Sequence, residues 1–119
     1  MPKSYAKMVE EARADITCTG PGELKARLDA GEDLVLIDVR EPQEWDQGTL
    51  PGAYTIPRGV LEGHIDGRLP YDSRVVLYCG SGGRSALAAK SLKEMGYENV
   101  ENLDGGFSAW LQTGNPLHR

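Results

Sequence analysis

The segment Tyr78-Cys79-Gly80-Ser81-Gly82-Gly83-Arg84-Ser85 sets a thiol and a guanidinium at the two ends of a four-residue spacer, three of whose residues are glycine. Glycine lets consecutive peptide N–H groups turn to one side and form a nest for an anion, and a helix opening directly afterwards adds its positive end. A thiol on the floor of such a loop is drawn toward its thiolate form near neutrality by those N–H dipoles and by the Arg84 guanidinium. Cys79 is therefore the candidate nucleophile, with Gly80, Ser81, Gly82, Gly83, Arg84 and Ser85 as the candidate anion ligands. Residues 74–93 add Arg74, Arg84, Lys90 and Lys93 with no acid, a local charge of +4 in a chain of net −5 that would draw in a small anion. Cys18, the other cysteine, has no Gly-rich or basic surroundings and reads as a structural thiol.

Such a loop needs a strand to launch it and a helix to receive it. Val75-Val76-Leu77-Tyr78 is continuously apolar, as is Leu34-Val35-Leu36-Ile37, the pattern of strands covered on both faces. After the loop, Ala88, Leu92 and Met95 mark the buried face of a helix over residues 85–95. Shorter strands are expected near 16–18, 53–56 and 100–103. Helices are expected behind Pro21 up to Gly31, over 58–65, and around Phe107, Trp110 and Leu111, with a helical turn at 42–46. Residues 1–15, with Tyr5, Met8, Val9 and Ala12 at helical spacing behind Ser4, read as an amphipathic helix packed on a single domain over 16–119. Strands alternating with helices imply parallel pairing through right-handed crossovers, hence a three-layer α/β domain.

Composition narrows the function classes. At 119 residues, 39% hydrophobic and 26% charged, the chain is an ordinary globular domain, and its acidic balance argues against nucleic-acid binding. No apolar stretch has the length of a membrane span, and the acidic N-terminal residues do not resemble a signal peptide, so a cytoplasmic protein is expected. Neither cysteine shares a metal-ligand spacing with His64 or His118, so neither a metal nor a cofactor is expected. The 15 glycines point to tight turns and to backbone that approaches a ligand closely.

The chain resembles the single-domain rhodaneses, the thiosulfate sulfurtransferase-like family, from about Ile16 to Leu111. Beyond the Cys-x4-Arg-Ser loop the likeness is carried by Leu36-Ile37-Asp38-Val39-Arg40-Glu41, Glu44-Trp45, Gly48 to Ala53, Ile56-Pro57-Arg58, Gly96-Tyr97 with Val100, and Leu103-Asp104-Gly105-Gly106-Phe107 with Trp110. Thr49 departs from it, standing where relatives often carry His. The resemblance implies a central five-stranded parallel sheet flanked by helices, a persulfide on Cys79, and transfer of sulfane sulfur to a thiophilic acceptor. The chemistry is self-consistent: Cys79 thiolate attacks the outer sulfur of thiosulfate, sulfite leaves, and cyanide or a thiol later takes the terminal sulfur. A pre-ionised sulfur needs no general base.

The expected partners are thus a small anionic sulfur donor and a thiol or cyanide acceptor, with a sulfur-relay protein as a further class. Asp38 and Arg40 end a neighbouring strand and are expected to shape the pocket through an ion pair rather than to move protons. Arg58 either projects into the pocket as a second anion ligand or lies solvated at the surface. Two other functions use the same elements: a noncatalytic rhodanese-like binding module, and a small phosphatase or arsenate reductase. The latter use Cys-x5-Arg loops, and the shorter ring here fits a persulfide sulfur better than a phosphoryl group.

Overall fold

The computed structural model describes all 119 residues. Five parallel strands, β1 (Thr17–Thr19), β2 (Val35–Asp38), β3 (Tyr54–Thr55), β4 (Val75–Tyr78) and β5 (Val100–Leu103), form one sheet in the order β1-β5-β4-β2-β3. Helices α1 (Tyr5–Asp15), α2 (Pro21–Asp29), α3 (Leu61–Ile65), α4 (Gly83–Met95) and α5 (Gly106–Gln112) connect and flank it, with 3₁₀ turns at Pro42–Gln47 and Arg58–Val60. The three-layer α/β architecture expected from the alternation of elements is the one observed.

The unbroken apolar runs are explained by burial on both sides of the sheet. Ile37, Val39, Val75, Leu77 and Cys79 face a cluster with Leu61 and Ile65 of α3 and Ala88, Ala89 and Leu92 of α4. Leu36, Val76, Tyr78 and Leu103 face the opposite cluster, with Leu24 of α2 and Phe107 and Trp110 of α5. Each fully buried Leu or Ile here contributes about 2 kcal/mol relative to exposure. Because side chains alternate along a strand, Cys79 inherits the α4 face from Leu77, and Asp38 inherits the α5 face from Leu36.

Two ends are set by local chemistry. Ser4 caps α1 by accepting the Lys7 N–H at 3.0 Å, and the helix lies along α4, with Ala12 wholly buried. Gly96 ends α4 in the left-handed region at φ +113°, where its N–H turns back to the Leu92 and Lys93 carbonyls, so a side chain at that position would be strained. The stretch expected as one helix over 58–65 is a 3₁₀ turn running into α3, since Gly59 and Gly63 weaken regular helix there. Thr49 exchanges both backbone hydrogen bonds with His118, at 2.9 and 2.8 Å, so the C-terminal tail braces the turn that follows the 42–47 segment.

Candidate active site

The middle strand, β4, delivers Cys79 to the carboxyl edge of the sheet, where open α/β folds bind ligands. Its Sγ lies at the bottom of the loop, and the residue is only 1% exposed. The Gly82 N–H donates to Sγ at 3.1 Å and the Ser85 N–H at 3.4 Å. Gly82 reaches this position with φ +107°, a conformation that an L side chain rarely adopts, which is why the bend needs glycine there. The N–H groups of Gly80, Ser81, Gly83 and Arg84 donate to no protein acceptor and remain available to a ligand.

Ser85 Oγ lies 3.4 Å from Sγ but 2.5 Å from Asn102 Oδ1. Asn102 Nδ2 donates to the Gly82 carbonyl at 3.2 Å, and a carbonyl only accepts, so Oδ1 must be the atom that faces Ser85. A hydroxyl has one proton, and the shorter contact takes it. Ser85 therefore donates to Asn102, while its backbone N–H serves the sulfur. Asn102, wholly buried on β5, ties the loop at Gly82 to the first turn of α4.

Arg84 folds back over Gly80, whose absent Cβ would lie 3.2 Å from Nη2. Both guanidinium nitrogens donate to Glu44, at 2.7 and 3.1 Å. Glu44 is presented by the 3₁₀ turn at Pro42–Gln47, where its carboxylate also accepts the Glu41 N–H at 2.9 Å in a capping box. The Arg84 hydrogen bonds, opposed by desolvation, hold the Glu44 carboxyl down at about 2, and Glu44 in turn raises Arg84.

That turn is anchored from below. Arg40 donates to Asp38 through Nε and Nη2, with the shortest contact 2.8 Å, and both side chains are almost fully buried. It also donates to the Gly48 carbonyl at 2.7 Å and the Glu44 carbonyl at 3.2 Å, and lies 4.0 Å over the Phe107 ring. Burial opposes the Arg40 charge, but the Asp38 carboxylate outweighs it and the group is held above its ordinary value. None of the hydrogen bonds of the Asp38 and Arg40 side chains goes to the loop or its sulfur; they hold the turn that holds Arg84.

Arg58 is not brought to the loop. Its guanidinium pairs with Glu62 at 2.9 Å and reaches Ser91, nearly two helical turns beyond Ser85 on α4. Three of the four cations of residues 74–93 are also met by acids from elsewhere in the chain, and the fourth by a backbone carbonyl. Arg74 meets Glu32, Arg84 meets Glu44, Lys90 lies 3.9 Å from Asp15, and Lys93 donates to the Asp15 carbonyl. Counting charge along one segment missed partners that folding supplies. Cys18 is half-buried on β1, and burial pushes its thiol up, which disfavours reactivity.

Residue types and spacing mark the loop but assign no role to Glu44, Asn102 or Gly106. Two signals were present. Glu41 and Glu44 stand three apart with Pro42 between them, the spacing of a capping box, and an amide side chain, Asn102, falls inside the short strand expected at 100–103.

Residues 20–113 match the rhodanese-like domain family. Over 94 residues the chain is 40% identical to a protein named sulfurtransferase from Allochromatium vinosum, covering 79% of this chain and 87% of that one. Over 97 residues it is 42% identical to the probable adenylyltransferase/sulfurtransferase MoeZ of Mycobacterium tuberculosis, covering 81% of this chain but only 25% of that protein. A solved structure from Rhodopseudomonas palustris, a protein of unknown function described as a possible tyrosine phosphatase, superimposes with a TM-score of 0.91 at 35% identity. It covers 99% of this chain and 96% of its own. The sulfurtransferase names among these relatives support sulfur transfer as the reaction class.

Proposed function

Because the chain belongs to the rhodanese-like family, we propose that it moves sulfane sulfur from thiosulfate, or a related persulfide donor, to a thiophilic acceptor through a persulfide on Cys79. The observation that carries this reading is the sulfur at the floor of the loop, met by two backbone N–H groups and ringed by four more that have no protein partner. Cys79 thiolate attacks the outer sulfur of thiosulfate, the S–S bond breaks, and sulfite leaves with the bonding pair. The enzyme then holds Cys79–S–S⁻. Cyanide or a thiolate attacks the terminal sulfur and returns the Cys79 thiolate, so no net oxidation occurs.

The free N–H groups stabilise first the donor's negative charge and then the persulfide anion, in a site that needs no reorganisation during the reaction. Arg84, held over Gly80, keeps the loop folded around the sulfur. A tyrosine phosphatase needs in addition an acid that protonates the leaving group. Glu44, the carboxylate beside the loop, is held ionised by Arg84 down to about pH 2 and cannot serve as that acid near neutrality. Together with the four-residue spacer between Cys79 and Arg84, this favours sulfur over phosphorus chemistry.

Intact-protein mass spectrometry after exposure to thiosulfate, with peptide mapping, tests the reading. The expected result is a gain of one sulfur atom on the peptide containing Cys79, removed by cyanide with formation of thiocyanate. Sulfur mapped to Cys18, or no sulfur gained from thiosulfate or a persulfide donor, overturns it. Efficient hydrolysis of aryl phosphates would assign the loop to phosphatase chemistry instead.

A further inference from the structure

The Gly105-Gly106 pair opens α5 against the face of the loop opposite Sγ, and the chemistry above makes no use of it. Gly106 has φ +56°, and a Cβ there would overlap the Cys79 carbonyl oxygen and stand 2.9 Å from the Gly80 carbonyl group. No side chain fits between helix and loop at this point. The next two N–H groups of α5 hold the loop directly: Phe107 donates to the Cys79 carbonyl at 2.8 Å and Ser108 to the Gly80 carbonyl at 3.0 Å. Phe107 is itself clamped under the Arg40 guanidinium.

A trans peptide points its C=O and its N–H in opposite directions. Drawing the carbonyls of Cys79 and Gly80 onto α5 therefore turns the N–H groups of Gly80 and Ser81, which share those two peptide planes, away from α5. Phe107 packs on one face of the sheet and Cys79 on the other, so this direction leads toward the side on which the sulfur lies. Neither N–H has a protein acceptor. We propose that Gly106 is a positioning residue for sulfur transfer: by letting α5 approach without a side chain, it aims the Gly80 and Ser81 N–H groups at the sulfur anion. The assignment rests on the sulfur-transfer reading above and adds to it the element that orients the loop.

The test compares Gly106→Ala with Gly105→Ala in the full chain. Gly105 also has a left-handed φ, +72°, but its Cβ would press on Ala109 within α5 and not on the loop. Both variants thus carry a strained alanine, and only one pushes on Cys79. Gly106→Ala is expected to slow iodoacetamide alkylation of Cys79 at pH 7 about tenfold and to lower kcat for thiosulfate-to-cyanide transfer about a hundredfold. Gly105→Ala, at a similar loss of thermal stability, keeps both within about threefold. Replacing Phe107 by its α-hydroxy acid turns the N–H donor into an ester oxygen without adding an atom, and is expected to slow alkylation in the same direction. That variant decides the matter if Gly106→Ala does not fold. Equal losses in the two alanine variants, or unchanged alkylation in the ester variant, overturn the proposal. Alkylation reports on the loop independently of turnover. The expected alkylation pattern in a protein that accepts no sulfur would support the role of Gly106 in orienting the loop and overturn the proposed reaction.

Discussion

Glu44→Gln tests whether the loop depends on a partner that lies forty residues away in sequence. The substitution keeps the shape of the side chain and the Glu41 cap but removes the charge that Arg84 meets at 2.7 and 3.1 Å. Glu44 is lowered from 4.5 to about 2, and at about 1.4 kcal/mol per pH unit the ceiling is about 3 kcal/mol. The two side chains are 31% and 35% exposed, and solvent screening brings the expected contribution to about 1 kcal/mol. For a domain of this size that corresponds to a fall in Tm of about 4 °C. The sign with pH follows from the lowered value: the stabilisation is complete above the unfolded carboxyl's range and is lost as pH falls from 4.5 through about 2. Urea unfolding of wild type and variant should therefore differ at pH 7 and converge in acid. Sulfur transfer should drop about tenfold, because a guanidinium released from Glu44 no longer holds Gly80 in place. Glu44→Gln/Arg84→Ala should be no slower than Arg84→Ala, since each change breaks the same contact. Additive losses in the double variant, or a stability difference that does not shrink in acid, would refute the reasoning.

Cys79→Ser is expected to abolish thiocyanate formation while the far-ultraviolet circular dichroism stays unchanged, whereas Cys18→Ser should retain turnover within about twofold. Retained turnover in the Cys79 variant would place the nucleophile elsewhere. Arg40→Met leaves the Asp38 carboxylate buried without its cation and should cost about 3–5 kcal/mol in urea unfolding, with part recovered in Asp38→Asn/Arg40→Met. An Arg40 variant as stable as wild type would mean that water or another cation replaces the pair. Inserting one residue between Gly82 and Gly83 should move the Gly82 and Ser85 N–H groups out of common reach of Sγ and slow sulfur transfer about a hundredfold; wild-type rates in the insertion variant would remove spacer length as a determinant.

Periodicity and punctuation in the chain determine most of the architecture. Apolar runs at 34–37 and 75–78 have the pattern of strands covered on both faces, and Pro21 and Gly31 mark helix ends through backbone preferences that need no tertiary contact. The Cys79 loop was legible for the same reason: its glycines and the helix that follows are contiguous, so the nest is local chemistry. What tertiary structure decided are relations between segments distant in the chain. Glu44 reaches Arg84 across forty residues, Asn102 reaches Ser85 across seventeen, and the N–H groups of Phe107 and Ser108 reach Cys79 and Gly80 across twenty-eight. Three of the four cations of 74–93 looked free because their acids, Glu32, Glu44 and Asp15, lie in distant segments, and Arg58 was left open between pocket and surface because its reach to Ser91, unlike its local pair with Glu62, is settled by packing against α4. Hydrophobic pattern specifies which face of an element is buried. Which polar groups then meet across the packed layers depends on strand order and register, and those are set only when the whole sheet closes.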